Sequence, residues 1–219
     1  MDDVDLLTRS DLFSAFDESE LAGILTHATP VRCDRNHQIF TEGDPAEELY
    51  VVRSGRIAIG RRSIDGRESL VALMEAGDLF GEMPLFDDGD RSASARSLEH
   101  SELLRLPYGP VRAALDRRPE LLWDVVSLLA RRLRMTDSAL ADAVFLDVTG
   151  RTAKRLLELA GDAEEFQLPI TQEELAGLVG ASRERVNKAL AAFVRLGWIE
   201  VVERRYRILL RDRLAQRAR

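Results

Sequence analysis

The sequence predicts an α+β chain built from an N-terminal antiparallel β jelly roll, a long dimerisation helix and a C-terminal winged helix-turn-helix. Three observations carry that expectation. Residues 31–106 hold short β-rich runs separated by turn signals. From Pro119 to Asp147 nothing breaks a helix, and the apolar residues form a heptad seam. Residues 171–193 combine a capping box, a glycine turn and a second capped amphipathic segment.

Taken in order, Leu6 to Thr29 reads as one or two short helices, with Leu12, Phe13, Phe16, Leu21, Ile24 and Leu25 at helical spacing and Pro30 ending them. The β-rich runs are Gln38–Phe40, Leu49–Arg53, Arg56–Ile59, Ser69–Met74, Ala93–Arg96 and Glu102–Leu106. Between them stand Gly43-Asp44-Pro45, Ser54-Gly55, Asp65-Gly66, Gly77-Asp78 and Asp88-Gly89-Asp90. Many short strands at this spacing suit an antiparallel double sheet. Tyr108 to Asp116 is a helical connection.

The stretch from Pro119 to Asp147 could form a rod of about 40 Å at roughly 1.5 Å per residue. Leu122, Val126, Leu129, Leu133, Thr136, Leu140 and Ala143 are spaced 4, 3, 4, 3, 4, 3. That is the narrow seam of a helix that pairs with a copy of itself. Thr136 puts a hydroxyl on the seam, with Arg132 just beside it and Asp137 following. Polar groups there cost packing, so they set register or meet something. Asp147 can cap the next helix, Val148–Ala160, with Leu156, Leu157 and Ala160 inward. Phe145-Leu146-Asp147 is then a candidate hinge, and residues 161–169 a polar loop.

In Thr171-Gln172-Glu173-Glu174 the hydroxyl and carboxylate can satisfy each other's backbone N–H. The helix they open buries Leu175, Leu178 and Val179, and Gly180 turns the chain. Ser182 caps a helix whose Val186, Leu190 and Phe193 point inward. Arg183, Glu184, Asn187 and Lys188 are left on the outer, N-terminal face, the end a recognition helix presents to base edges. Arg and Lys donate to guanine O6 and N7, and Glu accepts from cytosine N4. Arg151, Lys154, Arg204, Arg205 and Arg207 are candidate phosphate contacts. The plainer alternative is a helical hairpin with a solvated polar face. Strands Trp198–Val202 and Tyr206–Leu210 would form a wing, although its turn, Glu203-Arg204-Arg205, lacks a glycine.

A second constellation is Phe80-Gly81-Glu82-Met83-Pro84-Leu85-Phe86, followed after an acidic loop by Arg91-Ser92-Ala93-Ser94. Gly81 permits close backbone approach, and a helical turn after it would aim N–H groups at an anion. Arg91 supplies a bidentate charge for a phosphate and Ser92 a hydroxyl. Glu82 repels phosphate but accepts from a sugar hydroxyl. A Glu82–Arg91 salt bridge closing a turn is the competing interpretation.

Composition agrees. The 219 residues carry a net charge of −7, split as −11 over residues 1–147 and +4 over 148–219. A basic module behind an acidic one suits a nucleic-acid binder with a separate sensing domain. One cysteine, Cys33, excludes an intramolecular disulfide and is too few for an iron–sulfur cluster held by this chain alone. No leader or membrane span is evident, so the cytoplasm is the expected location.

The stretches FGEMPLF…RSASA, ARRLRMTDSALADAVFLDVTGR and TQEELAGLVGASRERVNKAL together resemble the cyclic-AMP receptor protein and fumarate-nitrate reduction regulator (Crp/Fnr) family, over nearly the whole chain. The resemblance implies a cyclic-nucleotide-binding β-roll with flanking helices over residues 1–116, a dimerisation helix and hinge over 117–147, and a DNA-binding domain over 148–219. It implies cyclic AMP as effector, no metal, and a homodimer through residues 119–145. The partners it implies are double-stranded DNA with a palindromic TGTGA-like site and RNA polymerase, with no membrane. Glu82 would hold the ribose 2′-hydroxyl, Arg91 and Ser92 the cyclic phosphate, with Gly81, Met83 and Arg132 also at the ligand. Thr136 would bond the base amino group, and Asp137 the base bound in the other subunit. Arg183, Glu184 and Lys188 would read the half-site, assisted by Thr171, Gln172, Ser182 and Asn187. Asp137 stands where a small neutral polar residue is usual, and Lys188 where an arginine is often found, a point charge in place of a fork.

The leading expectation is therefore a ligand-gated DNA-binding regulator. The alternative is a relative that works without cyclic nucleotide or with another effector. No histidine or cysteine lies in the Phe80–Ser94 loop, and His27, His37 and His100 are scattered. No catalytic triad or metal-ligand spacing appears, so an enzyme is not expected.

Overall fold

In the computed structural model, residues 2–62, 68–203 and 205–219 are described; the expected Asp65-Gly66 turn and Arg204 fall outside them. The chain divides into two compact units, Met1–Gly66 with Val71–Leu133, and Arg67–Leu70 with Arg134–Arg219.

In the first unit α1 (Asp3–Thr8) and α2 (Glu18–Leu25) come first. Asp17 opens α2 with a capping box, its carboxylate accepting from Glu20 N at 2.9 Å while Glu20 accepts from Asp17 N at 2.9 Å. Eight strands follow: β1 (Thr29–Cys33), β2 (Gln38–Phe40), β3 (Glu48–Ser54), β4 (Ile57–Arg62), β5 (Glu68–Met74), β6 (Leu79–Phe80), β7 (Ser94–Ser97) and β8 (Ser101–Pro107), with α3 (Met83–Asp87) between β6 and β7. They form two antiparallel sheets in the orders β1-β8-β3-β6 and β2-β7-β4-β5. The alternation of side chains in β3 shows why the first sheet is covered on both faces. Leu49 and Val51 join a core with Phe13, Leu115 and the helices. Tyr50 and Val52 join another with Cys33, Ile57, Phe80 and Ala95 of the facing sheet. Pro30 ends no helix; it lies within β1, opposite Leu104 of β8.

After α4 (Tyr108–Arg117), Pro119–Leu121 forms a single 3₁₀ turn, and α5 runs from Leu122 to Phe145. The expected rod is thus shorter at both ends, with the proline fixing the tighter first turn. One face of α5 carries Val125 and Leu128 into the core beside Leu121. The predicted seam lies on another: Leu122, Val126, Leu133 and Leu140 are exposed, Leu133 by 62% and Leu140 by 64%.

In the second unit Asp147 caps α6 (Val148–Ala160), accepting from Gly150 N at 2.8 Å. The expected polar loop at 161–169 is corrected: Glu165–Gln167 forms β9, the edge of a three-stranded sheet ordered β10 (Ile199–Val202), β11 (Arg205–Ile208), β9. A two-strand wing would leave Tyr206 of β11 half-paired; β9 sets Phe166 against it, ring centroids 5.7 Å apart. The Glu203 backbone takes a positive φ of 49° at the turn. A last helix, α9 (Arg211–Arg217), was not foreseen. It buries Leu214 completely and fastens both ends of α6, through Arg211 to Gly161 O and Arg217 to Asp147.

Candidate ligand site and nucleic-acid interface

Gly81 follows β6 with φ +79°, and a Cβ there would sit 2.6 Å from Arg91 Nη1. Glycine is therefore needed twice, for the backbone angle and for the guanidinium lying against it. The residues after it form only the five of α3, and Pro84 removes one N–H from its first turn. The helical turn expected after Gly81 is thus present as one short helix, and the full positive charges beside it are those of Arg91 and Arg132.

Arg91 is 5% exposed. Its backbone is pinned by the Gly43-Asp44 turn, Gly43 N to Arg91 O and Arg91 N to Asp44 O, each at 2.9 Å. Its Nη1 donates to Gly81 O at 2.7 Å and to Tyr108 Oη at 3.2 Å; its Nη2 donates to Glu48 O at 2.8 Å. The strand partner of Glu48 is Pro107, which has no N–H to give, so the guanidinium supplies a donor there. The Arg91 guanidinium carbon lies 4.1 Å from the centroid of the Phe40 ring, and its Nε is buried without a partner.

Glu82 is 0% exposed. The interpretation that pairs it with Arg91 is corrected: its ion pair is to Arg132 of α5, whose other terminal nitrogen donates to Leu79 O at 2.8 Å. Arg132 continues the inward face of Leu121, Val125 and Leu128 by one more turn, which puts it toward β6. The second carboxylate oxygen of Glu82, Oε2, is buried and accepts nothing. Burial raises the Glu82 carboxyl above its ordinary value of 4.5, with Arg132 opposing it. Ser92 is exposed, and Met83 lies partly open at the start of α3. Gly81, Glu82, Arg91 and Arg132 are thus brought together within the first unit. Thr136 and Asp137 belong to the second unit, where both are exposed on α5.

The nucleic-acid candidates sit on α7 (Gln172–Val179) and α8 (Arg183–Arg195). The capping box forms as expected: Thr171 Oγ1 accepts from Glu174 N at 3.2 Å, and Glu174 accepts from Thr171 N at 2.6 Å. Gly180 ends α7 at φ 67°, and Ser182 Oγ accepts from Arg185 N at 3.4 Å. Val186, Leu190 and Phe193 are buried, whereas Leu178 is only half-buried and Ala176 and Gly177 are buried beside Leu175 and Val179. Ser182, Arg183, Glu184, Arg185 and Lys188 form an exposed face; Gln172 is half-buried. Glu184 and Lys188 pair at 2.6 Å, one turn apart, and that bond holds the Glu184 carboxyl below its ordinary range. Asn187 departs from the expected outer face. It is half-buried, and its Oδ1 is shut away without a partner.

Three of the five proposed phosphate cations are engaged elsewhere. Arg151 donates to Val179 O at 2.8 Å and Leu146 O at 2.7 Å. Lys154 pairs with Asp142 at 2.5 Å. Arg207 bridges Glu165 at 2.7 Å and Glu200 at 3.4 Å. Arg205 is exposed, its nearest acid Glu165 at 3.8 Å.

A family model described as a cyclic nucleotide-binding domain matches residues 30–118, and a Crp-like helix-turn-helix domain matches residues 150–217. The "CRP-like cAMP-activated global transcriptional regulator" of Mycobacterium tuberculosis is 42% identical over 98% of this chain and 99% of its own. This chain belongs to the Crp/Fnr family of transcription regulators. It is accordingly a regulator and no enzyme. The "Cyclic AMP receptor protein" of Thermus thermophilus is 39% identical over 74% of this chain and 76% of its own. Among solved structures, the "c-di-GMP Responsive Global Regulator CLP" of Xanthomonas campestris aligns with a TM-score of 0.76 at 28% identity, over 88% of this chain and 99% of that one.

In this regulator the first-unit site fits a cyclic nucleotide on its own chemistry. The unsatisfied Glu82 Oε2 suits a sugar hydroxyl, and the Arg91 charge beside Gly81 suits a phosphate. Sequence reasoning missed Tyr108 and the Glu48 carbonyl, which hold Arg91. Only one signal was available, a tyrosine directly after Pro107 at a helix start. Among the described residues no group of acids, histidines and cysteines could hold a metal ion. No described helix is long and apolar enough to cross a membrane.

Proposed function

We propose that this regulator is a cytoplasmic homodimer gated by cyclic AMP, which binds its β-roll and biases the chain toward a palindromic TGTGA-like DNA site. The observation that carries the reading is Glu82: fully buried, paired on one oxygen with Arg132 and bare on the other. A buried carboxylate oxygen with no donor is costly, and a ribose 2′-hydroxyl is the donor that would relieve it. Arg91 and Ser92 would hold the phosphate, with Gly81 and Met83 at its edge. The exposed seam residues of α5 support pairing through residues 119–145, which would bring Thr136 of one chain and Asp137 of the other to the base. The intended division of labour is sensing in 1–116, pairing in 117–147 and DNA binding in 148–219. Arg183, Glu184 and Lys188 would read bases, and Thr171, Gln172 and Ser182 would meet the backbone. Two recognition helices must stand about 34 Å apart to enter successive major grooves. A ligand shifts that spacing only by its differential affinity for the two arrangements. RNA polymerase is the proposed partner at promoters.

The test is titration calorimetry with cyclic AMP against cyclic GMP, followed by fluorescence anisotropy on a TGTGA palindrome with and without ligand. Saturable binding near one per chain, selective for cyclic AMP and strengthening DNA binding, is the expected result. Absence of both heat and thermal shift would overturn the cyclic AMP reading. The second reading, another effector, is favoured by the similarity to a regulator described as c-di-GMP responsive.

Two further outcomes follow. Because burial raises the Glu82 carboxyl, the folded chain holds that proton more tightly than the unfolded one. Its contribution to stability is present below the ordinary carboxylate range and is lost as pH rises through the folded value. A hydroxyl donated to Glu82 favours the carboxylate, so cyclic AMP binding should release protons and tighten as pH rises from the ordinary glutamate range. Calorimetry in buffers of different ionisation enthalpy reads this directly, and proton uptake on binding would contradict it. Glu184→Ala should relax discrimination at one base pair by about 1–3 kcal/mol. A uniform loss across all sequences would mean that the Glu184–Lys188 pair only supports the helix.

A further inference from the structure

Tyr108 is the first residue of α4, and its ring is buried. Its hydroxyl donates to Gly81 O and accepts from Arg91 Nη1 at 3.2 Å. Gly81 O also accepts from Arg91 Nη1 at 2.7 Å, so the three groups close a ring of hydrogen bonds. Burial raises the Tyr108 phenol to about 12, with Arg91 opposing the shift, so the hydroxyl keeps its proton and remains a donor throughout neutral pH. Its backbone is fixed too, Tyr108 N donating to Glu47 O at 2.8 Å, beside the Glu48 carbonyl that takes Arg91 Nη2.

Arg91 Nη1 spends its two N–H groups on Gly81 O and Tyr108 Oη, whereas Nη2 gives one to Glu48 O and keeps the other, and the Nε N–H has no partner. An arginine so held can offer a phosphate its remaining N–H groups without giving up a carbonyl, provided that the bonds at Nη1 keep the guanidinium in place. A buried carbonyl left without a donor is expensive. Gly81 O is the one of the two that has a second donor, and that donor is Tyr108.

We propose that Tyr108 is a positioning residue of the effector site, whose hydroxyl, bonded to both Gly81 O and Arg91 Nη1, holds the guanidinium in the orientation that presents its remaining N–H groups to the ligand's phosphate. The inference rests on the cyclic-nucleotide reading above. Tyr108 acts through Arg91 and does not itself touch the ligand. Its ring packs in the helix-side core with Val111 and Leu115, so phenylalanine retains the packing and removes only the hydroxyl.

The experiment is a double-mutant cycle on the full-length chain, with Tyr108→Phe, Arg91→Lys and the pair, each titrated calorimetrically with cyclic AMP below its melting transition. Loss of the hydroxyl that anchors the guanidinium, worth about one net hydrogen bond, predicts that Tyr108→Phe weakens cyclic AMP about tenfold. It should change affinity little in the Arg91→Lys background, where the fork is gone. Equal affinity of Tyr108→Phe and the parent overturns the proposal. So does an equal loss in both backgrounds, which would make Tyr108 a support of the pocket alone. If Tyr108→Phe melts too early to titrate at ambient temperature, all four proteins are compared in the cold, and equal affinity of Tyr108→Phe and the parent there overturns the proposal as well. Absence of cyclic AMP binding by the parent chain would instead strike the functional reading beneath it.

Discussion

Arg91→Ala is expected to lower cyclic AMP affinity by about a hundredfold or more, since it removes a charge-assisted, fork-shaped donor from a site with no replacement cation on that strand. The structure adds a second cost. Arg91 donates to Gly81 O and Glu48 O from a buried position. Without it Gly81 O still has Tyr108, but the strand partner of Glu48 is the N–H-less Pro107. Orphaning that carbonyl should cost about 1–3 kcal/mol of stability, visible as a lower Tm. Arg91→Lys separates the two effects: a lysine can reach one carbonyl yet cannot form the fork, so it should recover more stability than affinity. Retention of parent-like affinity in Arg91→Ala would remove the arginine from the site. Subunit association should be unaffected, because the residue lies far in sequence from the α5 seam and is buried within its own unit.

The second large effect is expected from Leu133→Asp combined with Leu140→Asp. Both side chains are mostly exposed on α5, so the single chain loses little by their replacement. On a paired seam each aspartate would face its own copy in an apolar stripe, an uncompensated charge. Light scattering should report a monomer for the double variant and a dimer for the parent. Anisotropy on a two-half-site duplex should show affinity falling by about a hundredfold or more, because the second half-site is no longer bound as an intramolecular event. A double variant that stays dimeric would place the partner surface elsewhere.

How much of this was legible beforehand depended on how local the cause was. The Thr171–Glu174 box, the Gly180 turn, the Ser182 cap and the Asp147 cap each act within three or four residues, and the structure has each of them where the residues put it. The turn signals likewise bounded most strands. What stayed hidden were features made by distant partners. β9 has one apolar residue, Phe166, and exists because β11 supplies its ladder and Tyr206 its ring. α9 has a single fully buried side chain, Leu214, too little for a periodicity to register. In the sequence Arg132 merely flanks the heptad seam of α5. The helix carries two apolar stripes, and Arg132 extends the inner one toward Glu82. The basic residues Arg151, Lys154 and Arg207 resemble phosphate contacts in the sequence because their carbonyl and carboxylate partners lie on other elements, up to 42 positions away.

Cys33 offers a clock built into the same architecture. It is wholly enclosed between the two sheets of the β-roll, and burial, with Asp34 adding to it, raises its thiol pKa. Both the reach and the nucleophilicity that a thiol reagent needs are absent while the sandwich is closed. As the chain's one cysteine, it reacts only when these strands part, so its alkylation half-life measures the opening free energy of the sensing unit without any engineered probe. A molecule that occupies the Glu82–Arg91 recess on the same sheets would lengthen that half-life in proportion to how firmly it holds them together.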